Sequence, residues 1–99
     1  REIFGIGGGS HSALFCQIKA DTLGVPYARL DTADTGAWGS ALLDGAAVGL
    51  YTDLAAEAER HVHIRDVFQP NGENHQKYQR LVPVYAQALT ALRSVYQML

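Results

Sequence analysis

The sequence predicts an α/β fold, and three observations predict it. An apolar run holding Ile3, Phe4 and Ile6 leads into Gly5-Ile6-Gly7-Gly8-Gly9-Ser10-His11-Ser12. A helical pattern follows directly, and a second apolar run comes after the stop signal Gly24 and Pro26. Strand, glycine turn, helix, strand is the local order from which open α/β sheets are built. A small sheet packed by helices is therefore expected.

The elements follow in order. Residues 2–6 read as the first strand. A helix is expected over residues 10–23, with Ser10 or Ser12 as its cap and Leu14, Phe15, Ile18 and Leu23 near one face. Residues 26–30 read as the second strand, ending at Asp31. The turn-rich stretch over residues 31–36 supplies another cap. A second helix spans about residues 37–50 and is small-sided, with Gly39, Ala41, Gly45, Ala46, Ala47 and Gly49. Each interior glycine costs about 1 kcal/mol relative to alanine. Their concentration predicts close approach of a neighbouring element. Asp53 can cap a short third helix over residues 54–60. His61-Val62-His63-Ile64 reads as extended, and Pro70-Asn71-Gly72 as a loop. The last helix is expected over residues 75–98, where Tyr78, Leu81, Val82, Tyr85, Leu89, Leu92, Tyr96 and Leu99 recur at helical spacing. Pro83 falls inside it and is expected to kink or restart it.

The 99 residues leave room for one small domain. Hydrophobic content of 47% with 18% charged residues reads as globular rather than disordered. A net charge of −2 with no basic cluster argues against nucleic acid as a partner. The apolar stretch over residues 37–51 is broken by Asp44 and is shorter than the roughly 20 residues of a membrane span, so no membrane partner is expected. The single Cys16 cannot form an internal disulfide. A cytoplasmic location is the simplest expectation.

Only two strands stand out, and a two-stranded sheet rarely stands alone. The chain also enters strand-like residues at once after Arg1. A fragment of a longer protein, or a chain that needs partners to cover its sheet, is therefore expected. An exposed sheet edge of such a piece can pair with a copy of itself, giving a homo-oligomer.

The glycine turn is the first chemical candidate. Glycines reach φ > 0 and let a ligand lie against the main chain, and the following helix start offers free N–H groups. A P-loop requires Lys-Ser/Thr after its last glycine, and His11-Ser12 does not supply it. The dinucleotide fingerprint is one residue from a match, with Gly5 and Gly7 in the turn and Asp31 at the end of the second strand. A dinucleotide-binding half-domain of an oxidoreductase is thus one reading. A small interaction module using the glycine/alanine helix is another.

A further resemblance covers residues 2–99. Gly7-Gly8-Gly9-Ser10-His11-Ser12, then Gln17-Ile18-Lys19-Ala20-Asp21-Thr22-Leu23-Gly24-Val25-Pro26, resembles the C-terminal domain of the FGGY carbohydrate kinases. Gly36-Ala37-Trp38-Gly39-Ser40-Ala41-Leu42-Leu43 with Val48-Gly49-Leu50-Tyr51 is similar to that family's glycine/alanine helix, and Tyr78, Leu81, Tyr85 and Leu89 to its terminal helix. Within the family the xylulokinases look nearest. The resemblance implies that the chain is the C-terminal portion of a two-domain enzyme with an actin-like (ribonuclease H-like) ATPase fold. It implies transfer of the γ-phosphoryl group of ATP to a sugar hydroxyl, with Mg²⁺. Carried over by position, Gly8 and Gly9 lie against the adenosine and Gly7 completes the turn. Ser12 stands where relatives often carry a nucleotide-bonding Asn. Asp34 stands where relatives usually carry Glu, and Pro83 departs from the terminal-helix pattern. The catalytic base, the phosphate loops and the sugar contacts belong to the remainder of the kinase chain, so this segment alone is expected to be inactive, with no catalytic residue of its own.

The other candidates read as structural. His61 and His63 share a face if extended, but no further metal ligand is placed near them, and no metal site is expected. His11, beside the turn, is a functional candidate. Cys16 reads as a small buried hydrophobe, Trp38 as core filler or, alternatively, as lining of the nucleotide side of the cleft, Lys19 and Asp21 as solvated helix residues, and the Tyr/Leu stripe of the last helix as core.

Overall fold

The computed structural model describes residues 2–32 and 34–99, so Ala33 of the turn-rich stretch and Arg1 lie outside it. The element order is β1 (Ile3–Gly5), a 3-10 turn (Gly8–His11), α1 (Ala13–Leu23), β2 (Tyr27–Leu30), α2 (Thr35–Ala47), α3 (Leu54–His61), β3 (Ile64–Phe68) and α4 (Gly72–Tyr96). Among the described residues the sheet has three strands in the order β1-β2-β3. β1 runs parallel to β2, with Ile3 opposite Tyr27. β3 runs antiparallel to β2, with Tyr27 opposite Phe68 and Arg29 opposite Asp66, and the register shifts between Arg29 and Leu30.

The third strand corrects the two-strand expectation. His61 ends α3, and the extended segment begins later, at Ile64. His61 and His63 therefore do not share a strand face. The reason is local: Asp53 caps α3 through Ala56 N–H at 3.0 Å, and the Glu57–His61 pair at i, i+4 supports its last turn.

The core is small and lies where α1 crosses β2. Cys16, Ala20 and Tyr27 form it, with Ile3 and Phe68 packed against them. The expected apolar face of α1 is not the buried one. Leu14, Phe15 and Leu23 are exposed, and Cys16, Ala20 and Asp21 are buried. Small side chains let the helix approach the sheet closely, so the Tyr27 ring takes the space. A Cβ on Gly5 would collide with that ring. Burying a tyrosine of this size contributes about 3 kcal/mol.

α1 starts at Ala13 because Ser12 caps it, its Oγ accepting from Phe15 N–H at 3.2 Å. It ends at Gly24, whose φ of 67° is left-handed and whose N–H donates to the Ala20 carbonyl at 2.8 Å. α2 starts earlier than the composition suggests, because Asp34 caps it through Ala37 N–H at 3.2 Å. The close approach expected of the glycine/alanine helix is found at Gly45, against which the Tyr51 ring folds. The Tyr51 hydroxyl donates to the Leu42 carbonyl at 2.6 Å. At Gly36 and Gly39 a Cβ would meet nothing within 4 Å.

α4 is continuous from Gly72 to Tyr96, with Pro83 inside it, so the helix does not restart there. It begins earlier than expected, because Asn71 is its cap rather than a loop residue, accepting from Glu73 N–H and Asn74 N–H. Its Tyr/Leu stripe is exposed from Leu81 onward, with Tyr78 half-buried, against the expectation that it is core. The radius of gyration is 18.7 Å, against about 13 Å for a compact domain of about 100 residues. Among the described residues no helix is long and apolar enough to cross a membrane.

Candidate functional site

The turn between β1 and α1 is built from backbone constraints. Gly7 sits at φ 79°, a conformation that L side chains rarely adopt. Its carbonyl accepts from Ser10 N–H at 2.9 Å and from Ser10 Oγ at 2.7 Å. Ser10 is buried, and its own carbonyl receives the Cys16 Sγ–H at 3.5 Å. These bonds hold the residues after Gly7 in a single 3-10 turn.

Gly7, Gly8, His11 and Asp34 line an open concavity of about 280 Å³ over that turn. The glycines differ in what they require. Gly9 lies against the Phe15 ring, where a Cβ would sit 3.0 Å from the nearest carbon. Gly8 has no left-handed φ, and a Cβ added there would meet nothing within 4 Å. Ser12 is beside the turn, and its hydroxyl is engaged in capping α1. The structure thus brings Gly7 and Gly8 together with His11 and Asp34, while Gly9 faces Phe15 and Ser12 serves the helix. Asp34 is a lining residue as well as the α2 cap, a double placement that its cap position alone does not signal.

A second concavity, about 480 Å³, lies between α2 and α3. Trp38 lines it with Tyr51, Glu57 and His61. The Trp38 and His61 rings are 4.6 Å apart at a 42° angle, and His61 Nε2–H donates to Glu57 Oε1 at 2.9 Å. Trp38 therefore lines a cleft rather than filling the core. Glu57 and His61 are paired by their i, i+4 spacing on α3, but sequence spacing does not bring them to Trp38 and Tyr51.

Lys19 and Asp21 correct their reading as solvated residues. Lys19 Nζ donates to the Tyr27 hydroxyl at 3.0 Å and lies 4.6 Å from the Phe15 ring centre. Asp21 is buried and joins α1 to the start of α4. Its Oδ1 accepts from Asn71 N–H and Gln17 Nε2–H, each at 2.8 Å, and its Oδ2 from Asn74 Nδ2–H at 2.9 Å. The Asn71 N–H is the chief cause that holds the Asp21 carboxyl below its ordinary value. Burial opposes it, and Asn74, Gln17 and the nearby His75 add to the lowering. Helical periodicity does not show this, because Asn71 and Asn74 lie about fifty residues away in sequence.

The dinucleotide fingerprint is not assembled. Gly5 is occupied by packing on Tyr27. Asp31 is exposed at the end of β2, and its N–H donates to the His63 carbonyl at 3.0 Å. The strand β3 beside β2 is antiparallel, whereas that fold continues with a parallel one. Among the described residues no group of three or more His, Cys, Asp or Glu side chains is placed to hold a metal ion.

Comparison with known proteins bears on the same turn. Residues 1–48 match the family model described as the FGGY family of carbohydrate kinases, C-terminal domain. A xylulose kinase of Staphylococcus epidermidis is 32% identical over 83 residues, covering 84% of this chain and 17% of that protein. An autoinducer-2 kinase of Enterobacter sp. strain 638 is 37% identical over 87 residues, covering 84% of this chain and 16% of that protein. The solved structure of ligand-bound xylulose kinase from Lactobacillus acidophilus superposes with a TM-score of 0.81 at 28% identity, over 98% of this chain and 20% of that one. The chain thus spans 17% and 16% of the length of these two curated relatives.

Proposed function

The chain belongs to the FGGY family of carbohydrate kinases, and from that premise we propose that it is the C-terminal segment of an ATP-dependent sugar kinase. The observation that carries the reading is Gly8. Nothing within the described chain requires glycine there, since its φ is ordinary and a Cβ would meet open space. A base or ribose lying on the main chain supplies the missing reason. Gly7, Gly8, Gly9 and Ser12 then form the adenosine-side wall: Gly7 by its backbone, Gly8 by its open face, Gly9 by its fit to Phe15, and Ser12 by fixing the helix start.

The reaction breaks the bond between the γ-phosphorus of ATP and its β-bridging oxygen. A new bond forms to a sugar hydroxyl oxygen, the hydroxyl proton passes to a base, and ADP leaves. Mg²⁺ supplies neutralisation of the phosphate charge in such transfers. No described cluster in this segment is suited to hold it. We assign the base and the metal ligands to the remainder of the kinase chain, and expect this segment to be inactive alone. That remainder also covers the exposed stripe of α4, including Leu81, Tyr85 and Leu89.

Xylulose is the proposed acceptor, on the strength of the names of two relatives, and the cytoplasm is the proposed location. The test is a coupled ADP-release assay of the full-length kinase with xylulose, glycerol and gluconate. The reading expects the highest kcat/KM with xylulose. Turnover with none of the three, together with tighter calorimetric binding of NAD than of ATP, would contradict it.

A further inference from the structure

We propose that Arg29 is a positioning residue for the glycine turn, with Asp66 as its anchor. The proposal rests on the nucleotide reading of that turn. The carbonyls at the end of a short 3-10 turn have no helical partner of their own. Here Ser10 O and His11 O both accept from Arg29 Nη1–H, each at 3.3 Å. The same guanidinium donates through Nε–H to Asp66 Oδ2 at 2.9 Å, and its Nη2–H reaches the same oxygen. Arg29 and Asp66 are directly opposed across β2 and β3. The arginine side chain is only 12% exposed, against 41% for the aspartate. Its guanidinium carbon also lies 5.5 Å from the centre of the Phe68 ring.

One planar group therefore ties two strands to the turn. The link continues inward: Arg29 holds the Ser10 carbonyl, and Ser10 holds the Gly7 carbonyl through both its N–H and its hydroxyl. The Gly7–Gly8 peptide plane, on one side of the open Gly8 face, is thus linked to β2. Lysine cannot replace this arrangement, because its ammonium is a point charge without the fixed fork of donors. Asp66 lies beyond residues 1–48, the part that matches the family model, so the anchor is supplied by β3.

The experiment uses the full-length kinase and measures ATP and sugar KM separately. Arg29→Met removes charge-assisted bonds to two carbonyls and raises the ATP KM about tenfold. The sugar KM stays within about twofold, because a lost nucleotide-site contact does not weaken acceptor binding. Arg29→Lys keeps the charge and gives an intermediate rise in ATP KM. Asp66→Asn gives a smaller rise in the same direction. A role in folding alone moves both KM values together with the melting midpoint, and that result overturns the proposal. So does an unchanged ATP KM in Arg29→Met where Gly8→Val raises it; the nucleotide reading then survives. An unchanged ATP KM in Gly8→Val overturns the nucleotide reading itself, and the proposal with it.

Discussion

α1 and α4 are opposite cases of the same rule. α1 has 11 residues and carries Cys16, Ala20 and Asp21 into the interior. α4 has 25 residues, more large apolar side chains, and no buried residue. Tyr85 is 67% exposed and Leu89 47%. Burial is set by what packs against a helix, not by how apolar the helix is. α1 has a sheet beneath it. α4 meets the rest of the chain mainly through its first turns, where Asp21 binds Asn71 and Asn74 and His75 Nδ1–H donates to the Asp21 carbonyl at 2.8 Å. Under the proposed function, the surface that α4 leaves open is where the remaining kinase chain packs.

The largest effect is expected at the core beside α1. Tyr27→Ala empties the space that Cys16, Ala20 and Gly5 surround, and is expected to cost about 3–5 kcal/mol by chemical denaturation. A cost as small as that of a surface change would remove the distinction between the two helices.

Asp21→Ala comes next. It removes the acceptor of the Asn71 N–H and of the Asn74 amide, while the Gln17 amide keeps its bond to the Gln69 carbonyl, with an expected loss of about 2 kcal/mol. Hydrogen exchange at the first turn of α4 should rise while that in α2 stays constant. The pH dependence has a definite sign. The folded carboxyl titrates below the unfolded value of 3.8, so its stabilisation is fully present above that value. It fades as the pH falls below 3.8 toward the folded pKa. Asp21→Asn should flatten this acid limb; an unchanged limb would remove Asp21 as its source.

The smallest effect is expected on the open stripe of α4. Leu89→Ser should change the stability of the isolated chain by no more than about 0.5 kcal/mol. The same change in the full-length kinase should cost more if, as proposed, the remaining chain covers the stripe. Equal small effects in both proteins would argue against a covering partner.

The outline of the first half of the chain is legible in its sequence. The glycine turn, the Ser12 cap, the Gly24 stop and the Asp53 cap are local, and local chemistry decides them. β3 is not legible, because Ile64-Arg65-Asp66-Val67-Phe68 becomes a strand through pairing with β2, about forty residues away in sequence. The buried face of α1 is misleading because its buried residues are small or charged. The Asn71 cap is hidden by a Pro-Asn-Gly run that reads as a turn. In the site, the turn is visible and its supports are not. Arg29 and Asp66 are ordinary strand residues until the register sets them opposite each other.

Under the proposed function the open face of Gly8 receives a nucleotide. The most direct measurement is calorimetric titration of ATP into the full-length kinase and its Gly8→Val variant. Gly7 is unsuited to this test because its φ is left-handed, and Gly9 because it touches Phe15; at Gly8 the described chain has room for a side chain. At least about tenfold weaker ATP binding is expected for Gly8→Val, with the melting midpoint of the free protein unchanged. Equal ATP affinity in the two proteins would contradict it.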